Sequence, residues 1–117
     1  MLDTGALIAV ERADRRLIRL LELADEVHVP AALVAQAWRN PARQVRLVRV
    51  LAADPVQIHA LDAAEARAVG HLCGAAGTAD FVDASVVLLA RRTGAVTVSR
   101  DGGDLHLIDP GLEVVPC

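Results

Sequence analysis

The chain alternates between short apolar runs and longer segments in which apolar residues recur at helical spacing. The short runs predict strands, at residues 1–2, 27–29, 57–59, 95–99 and 112–115. The longer segments predict helices, at residues 4–11, 14–24, 31–38, 41–53, 62–73 and 79–92, with a turn and a short helix at 101–107. Because strands that alternate with helices are typical of βα units, we expect an α/β fold around a mostly parallel sheet.

Residues at the predicted helix ends strengthen these boundaries. Thr4 can cap the first helix, and Asp62 with Glu65 has the spacing of a capping box. Asn40 and Pro41 have the pattern of a cap followed by a first-turn proline, so they predict the start of the fourth helix. Residues 74–78 are predicted to form a loop.

Length and composition narrow the class of protein. A chain of 117 residues, 54% of them hydrophobic, suits a single domain over residues 1–117 with a substantial core. No stretch approaches the roughly 18 apolar residues that span a bilayer, and no signal-peptide pattern opens the chain. Cys73 and Cys117 do not form a disulfide framework. We therefore expect a cytoplasmic protein with no membrane partner.

The charged residues exclude some functions. The net charge is −3, which is weak evidence against a constitutive nucleic-acid binder with a basic surface. All the basic residues apart from the histidines are arginines. The chain therefore lacks the lysine that a Walker A phosphate loop or a Schiff-base enzyme requires.

Five aspartates stand where the ligands of an α/β protein are usually bound. Asp3 directly follows the first predicted strand, and Asp101 follows the strand at 95–99, with Asp104 three residues later. Asp80 and Asp83 lie in the first turn of one predicted helix, on the same face. Open α/β sheets bind ligands beyond the carboxyl ends of their strands, so these carboxylates converge if the two strands are neighbours.

Converging carboxylates repel one another. At a separation of 4 Å and an effective dielectric constant of 20, each pair costs about 4 kcal/mol. Protons or a cation must relieve this repulsion, and an oxygen-rich site favours Mg²⁺ or Mn²⁺. Such an ion supports phosphodiester hydrolysis. Singly, three of the aspartates have structural explanations: Asp80 as a helix cap, Asp83 through the helix dipole and Asp101 as a turn former.

Three runs resemble the motifs of the PIN domain family. Residues 2–9, LDTGALIA, resemble the opening of a PIN domain, in which an aspartate and a small hydroxyl residue precede a helix. Residues 80–87, DFVDASVV, resemble the third acidic motif of that family, and residues 96–105, VTVSRDGGDL, resemble its last one. The order and spacing of the runs match over nearly the whole chain.

The resemblance implies a three-layer fold, with a parallel sheet between helices, and a nuclease that depends on Mg²⁺ or Mn²⁺. By carry-over, Asp3, Asp83 and Asp101 would be metal ligands, and Asp80 and Asp104 would be ligands or groups that contact the ligands. Small stand-alone bacterial members are commonly VapC-type toxins that cleave RNA, are held inactive by a cognate antitoxin and are often homodimers. We expect the same function and partners here.

Gln36 departs from the family pattern. The family usually has a glutamate in the helix after the second strand, and Gln36 stands at that place. A glutamine can bind a metal-bound water or offer a neutral oxygen, but it supplies neither negative charge nor a base. One hypothesis is that Asp80 compensates; otherwise weak metal affinity and low activity are expected.

The arginines and hydroxyls near these motifs have open interpretations. Arg39, Arg43, Arg46 and Arg49 are spaced to lie along one side of the predicted helix after Pro41. They would contact the RNA backbone, receive an acidic antitoxin segment, or form an ordinary solvated face. Arg100 would touch a substrate phosphate or pair with a nearby aspartate.

Two hydroxyl residues stand beside aspartates at predicted strand ends. Thr4 follows Asp3, and Ser99 lies two residues before Asp101. Either hydroxyl would orient a metal-bound water, whereas helix capping is the structural alternative for Thr4.

Two further functions compete with the nuclease. A catalytically weak PIN-like module that binds RNA or protein would fit Gln36 and the acidic net charge. A phosphatase of the haloacid dehalogenase type also begins with an aspartate after its first strand, but it has a second acid two residues later, where this chain has Gly5. Loss of turnover with retained binding, after neutralisation of Asp3, would distinguish the nuclease from the binding module.

Overall fold

The computed structural model describes residues 1–100 and 102–116, the side chain of Thr4 excepted. Helices and short strands alternate along this part of the chain, as the sequence predicts. In chain order they are α1 Thr4–Glu11, α2 Arg15–Leu23, β1 Val27–Pro30, α3 Ala31–Ala37, α4 Val45–Leu51, β2 Val56–His59, α5 Ala63–Ala76, α6 Phe81–Thr93, β3 Thr97–Ser99, α7 Gly102–Ile108 and β4 Val114–Pro116.

The N-terminal segment Met1–Leu2 joins two parallel strand pairs into one sheet. β1 pairs with β2, and β3 pairs with β4. Leu2 forms a parallel bridge to Val98 of β3, and its N–H donates to the carbonyl of His28 in β1, at 3.3 Å. The order across the sheet is therefore β2, β1, Met1–Leu2, β3, β4. The three assigned pairings, β1 with β2, β3 with β4 and Leu2 with Val98, are parallel, so the carboxyl ends of paired strands share one edge.

Helices α1 and α6 each pack against several of the elements around this sheet. α6 is buried along most of its length and packs against α3, α5, α7 and β1. α1 buries Ala6, Leu7, Ala9 and Val10 and packs against α2, α3, α4 and β3. The predicted α/β class, a mostly parallel sheet flanked by helices in three layers, is confirmed.

The start of the fourth helix was predicted wrongly. α4 begins at Val45, because residues 40–44 form a turn in which the N–H of Arg43 donates to the carbonyl of Asn40. The buried side chain of Gln44 stabilises this turn. Its Oε1 accepts from the N–H groups of Arg39 and Asn40, and its Nε2 donates to the carbonyl of Ala37, each at 2.9 Å. A side chain that forms hydrogen bonds with several backbone groups in this way cannot be recognised from the local sequence pattern.

Two other helix ends differ from the prediction. The cap of α1 is Asp3 rather than Thr4, because the extended backbone at Asp3 lets its carboxylate accept from the N–H of Ala6. α5 continues to Ala76, into the predicted loop, and ends at Gly77, where φ is +71°. Glycine adopts this left-handed backbone conformation without a steric penalty, so the helix ends at Gly77 rather than at Gly74.

In the part of the chain that the structure describes, no helix is both long and apolar enough to cross a bilayer by itself. Ala63–Ala76 and Phe81–Thr93 reach that length and composition only together, as a pair bent by 105° at the break between them.

Thr97 gives a stability test of the sheet. It is fully buried, and its Oγ1 has no hydrogen-bond partner among the described residues. We expect Thr97→Val to raise the free energy of unfolding by about 1 kcal/mol, because it removes an unpaired buried hydroxyl and keeps the shape of the side chain. Urea unfolding measures this change.

Thr93→Val is the matched control, because its hydroxyl donates to the carbonyl of Leu89 and accepts from the N–H of Ala95. The Thr93→Val substitution should not raise the free energy of unfolding. If Thr97→Val unfolds at a lower urea concentration than Thr93→Val, the assignment of an unpaired hydroxyl is wrong.

Candidate functional site

Asp3 lies where the central segment of the sheet meets α1. It is buried, with 7% of its surface exposed. One carboxylate oxygen accepts from the N–H of Ala6 at 2.9 Å, and the other accepts from the hydroxyl of Ser99 at the end of β3. The structure therefore places Ser99 against Asp3, and it fixes this carboxylate at the carboxyl edge of the sheet.

Asp80 and Asp83 come from the start of α6. Asp80 is the cap, and its Oδ1 accepts from the N–H of Asp83 at 3.0 Å. The hydroxyl of Thr78 accepts from the N–H of Asp80, at 3.1 Å, and holds the preceding loop. Asp83 is half-buried between Val82 and Ala84, both of which face the core.

Two ion pairs help to orient α6 from its other end. Nε of Arg91 lies 3.0 Å from Oδ2 of Asp109, after α7, and Arg92 pairs with Glu65 of α5. The hydrogen bond from Arg91 lowers the pKa of Asp109. The position of Asp83 thus depends on contacts at both ends of its helix.

Asp80, Asp83 and Asp104 line one cleft of about 440 Å³, which we call the acidic cleft. Asp104 is exposed and lies in the first turn of α7. Ala76, Gly77, Thr78, Leu107 and Ile108 complete the lining. The cleft is therefore open to solvent-borne ligands while one of its carboxylates is half-buried.

The pKa of Asp83 shows how closely the negative charges are gathered. It is raised from 3.8 to about 7. Burial is the largest cause, followed by the charge of Asp80 and a hydrogen bond with it, and then by the charges of Asp104 and Asp3. Asp3 and the acidic cleft therefore belong to one electrostatic unit.

The donor set has the chemistry of a site for a hard divalent cation, since it consists of carboxylates whose repulsion a cation would relieve. Among residues 1–100 and 102–116, no group of three His, Cys, Asp or Glu side chains is placed to hold a metal ion. Asp101, predicted as a third ligand, lies outside the described residues. The Thr4 side chain, predicted to orient water, also lies outside them.

Gln36 shares a second cleft with Asp80. It is exposed on α3 and lines this cleft of about 560 Å³ together with Asp80 and Phe81. Asp80 lines both clefts, so Gln36 and Asp83 each share a cleft with it. We call this second cleft the apolar cleft, because six of its eight lining residues are apolar: Ala32, Ala35, Leu61, Ala79, Phe81 and Val82.

Arg100 is paired within the protein. Its Nη2 lies 3.4 Å from Oδ2 of Asp14, the cap of α2. A Cβ added at Gly5 would lie 3.0 Å from the Cβ of Arg100. A side chain at position 5 would therefore meet Arg100 closely, and the acid that a dehalogenase-type phosphatase has at this position is absent, which argues against that alternative.

The arginine group does not form one helix face, contrary to the prediction. Arg39 and Arg43 lie in the loop before α4, and Arg46 lies on α4. Arg39 donates to the carbonyls of Ala35 and Trp38, at 2.7 and 2.9 Å. The guanidinium of Arg46 reaches the carbonyl of Glu11 at 3.5 Å.

The contact with Glu11 places Arg46 at the opposite end of α1 from Asp3. Eight residues of α-helix span about 12 Å. The structure therefore brings Asp3, Ser99, Asp80, Asp83 and Asp104 toward one region and leaves Arg46 outside it.

Two residues of this region, Thr78 and Phe81, were not predicted from the sequence. Thr78 supports Asp80 through its hydroxyl, and a hydroxyl two residues before a helix cap was the available signal. Phe81, the only phenylalanine of the chain, is 54% exposed beside Asp80. Its place between the two aspartates of one motif was the signal that could have marked it.

Comparison with known proteins shows which family the chain is similar to. A family model described as PIN domain matches residues 1–108. No curated protein matches the chain.

The raised pKa of Asp83 predicts a pH dependence of stability. Unfolded Asp83 loses its proton near pH 4, whereas the folded protein keeps it until about pH 7. The folded state therefore binds more protons between these values, and the free energy of unfolding falls as the pH rises through this window. Asp83→Asn should remove the decline, worth roughly 1–2 kcal/mol after allowance for solvent screening.

Urea unfolding at pH 5 and pH 8 measures this effect. Asp25→Asn, at an exposed position outside the acidic cleft, is the control and should keep the decline of the wild type. An equal decline in Asp83→Asn and in the wild type would contradict the electrostatic assignment.

Proposed function

This chain belongs to the PIN domain family, and on that premise we propose that it is a Mg²⁺- or Mn²⁺-dependent endoribonuclease and the toxin of a toxin–antitoxin pair. PIN domains are generally metal-dependent nucleases. The observation that carries the proposal for this chain is the raised pKa of Asp83, which results in part from three neighbouring aspartates. Such a group gains most from a bound divalent cation.

Asp3 and Asp83 would hold the cation, with Asp101 as the third ligand and Asp80 and Asp104 as ligands or as partners of bound water. A bound Mg²⁺ or Mn²⁺ supplies an activated water and charge stabilisation at the phosphate. Ser99 orients the Asp3 carboxylate by donating to one of its oxygens. The backbone N–H of Asp83 donates to Oδ1 of Asp80 and so orients its carboxylate. The same side chain therefore caps α6 and contributes negative charge to the site.

The proposed partners are an RNA substrate, a cognate antitoxin and a second copy of the chain, in the cytoplasm. Support for a protein partner comes from an apolar groove of about 290 Å³ between α2, α4 and the amino ends of β1 and β2. Its lining includes Ile18, Leu21, Val27, Val50 and Val56. Arg46 and Arg49 lie on α4, which supports an acidic antitoxin segment as the occupant of that side.

Cleavage of RNA tests the proposed function. The wild-type protein, freed of any antitoxin, should cleave a panel of structured RNAs with Mg²⁺ or Mn²⁺ and lose this activity with a chelator. Asp3→Asn should abolish cleavage, because it removes the charge but keeps a side chain that can cap α1. Asp54→Asn, at an exposed aspartate between α4 and β2, should cleave as the wild type does.

Gel separation of end-labelled RNA measures these activities. If folded protein cleaves no RNA with either metal, the nuclease proposal is wrong, and binding of RNA or protein becomes the better description. Cleavage that persists in Asp3→Asn would instead place the activity outside this site.

Gln36→Glu tests whether the missing family carboxylate limits metal binding. We expect about tenfold tighter Mn²⁺ binding, because the new charge lies beside Asp80 at the junction of the two clefts. The metal-free variant should also unfold at a lower temperature than the wild type, since it adds a further repulsion. Calorimetric titration and thermal unfolding measure the two effects.

Gln57→Glu, at an exposed position of β2, makes the same charge change away from the site. It should change neither the affinity for Mn²⁺ nor the unfolding temperature of the metal-free protein. Asp80→Asn should weaken Mn²⁺ binding while it preserves the helix cap. Equal affinities in Gln36→Glu, Asp80→Asn and the wild type would refute compensation by Asp80.

A further inference from the structure

Phe81 is an aromatic residue that is not among the buried residues of the core. It is the first residue of α6, and 54% of it is exposed, whereas the next residue, Val82, is 7% exposed. Its ring lines the apolar cleft immediately beside Asp80. An aromatic side chain that is exposed within a cleft, next to a proposed catalytic site, offers a flat surface on which a planar group can stack.

The walls of the apolar cleft favour an uncharged ligand. Its lining is made mostly of alanines and larger apolar residues, and, within the described ranges 1–100 and 102–116, it includes no Arg, Lys or His. A phosphate would lack a cation there and would meet the carboxylate of Asp80. The volume of about 560 Å³ lies within the range of small-molecule pockets, roughly 300–1,000 Å³.

Among the described residues that line this cleft, Gln36 and Asp80 are those with polar side chains. An amide offers both hydrogen-bond donors and acceptors, and a carboxylate accepts. A nucleobase has the matching combination of a planar apolar face and a polar edge. The two clefts adjoin at Asp80, so a nucleotide can extend from one into the other.

We propose that the apolar cleft binds an unpaired nucleobase stacked on Phe81, next to the phosphodiester that the acidic cleft receives. This inference rests on the proposed function, because it takes the ligand of the acidic cleft to be RNA. It assigns Phe81 as a substrate-binding residue and Gln36 as a polar contact for the base edge. A paired base cannot enter a cleft, so the substrate must present a single-stranded nucleotide at this position.

Fluorescence of 2-aminopurine tests the stacking without any cleavage. Single-stranded RNA hexamers, each with 2-aminopurine at one position, are titrated with wild-type protein in the presence of a chelator. We expect the fluorescence to be quenched at one position. Phe81→Leu should abolish the quenching and weaken binding roughly 5- to 100-fold, whereas Phe81→Trp should retain both.

Ile58→Ala is the matched control. Ile58 is a large apolar residue with similar exposure, 48%, but it lies on β2 outside both clefts. Its substitution should leave the quenching and the affinity as in the wild type. A hexamer with an abasic site at the quenched position should bind the wild type and Phe81→Leu equally weakly, because the stacking partner is then missing from both complexes.

The outcomes separate this inference from the proposed function. Cleavage with metal, combined with quenching that Phe81→Leu leaves unchanged, would overturn the stacking assignment, leave the nuclease intact and favour a protein partner for the cleft. Quenching that depends on Phe81, in a protein that cleaves no RNA, would support the base site and refute the nuclease. Absence of RNA binding under all conditions would refute both.

Discussion

The carboxylate of Asp3 connects the centre of the sheet, the start of α1 and the end of β3. One oxygen caps the helix through the N–H of Ala6, and the other accepts from Ser99. Its position therefore follows from the parallel pairing of Met1–Leu2 with β3, which brings both strand ends to one edge. The same contacts that stabilise the fold hold a negative charge, 7% exposed, beside the acidic cleft.

The start of α6 places negatively charged side chains beside a buried part of the protein. α6 is the most buried helix segment of the packing, yet its first turn carries Asp83 and its cap is Asp80. The fold accommodates these residues through the cap contact and through ion pairs at the far end of the helix. Burial of its carboxylate, followed by the charges of the neighbouring aspartates, raises the pKa of Asp83. A local conflict of this kind is expected at functional sites and rare elsewhere.

Sequence patterns predicted those features that depend on neighbouring residues. The periodicity of apolar residues located each helix and strand that the structure describes, and the parallel sheet followed from their alternation. The same reasoning failed where a distant side chain decides the structure. Gln44 displaced the start of α4, where the sequence pattern placed a helix from Pro41. Asp3, Asp80, Asp83 and Asp104 were predicted to converge because each follows a strand or opens a helix, whereas Phe81 was missed because the cleft it lines is completed by Leu61 and by residues of α3.

Gln44 has a consequence for recognition. Three hydrogen bonds from one buried amide hold the loop that carries Arg39 and Arg43, and a fourth joins it to Glu11 of α1, at 3.2 Å. The backbone of this loop has therefore lost its conformational freedom during folding, before any ligand arrives. An anionic partner that meets these arginines encounters a preorganised surface, and the entropy lost on association falls mainly on the partner. Specificity at this surface then reflects the shape of the partner more than the adaptability of the loop.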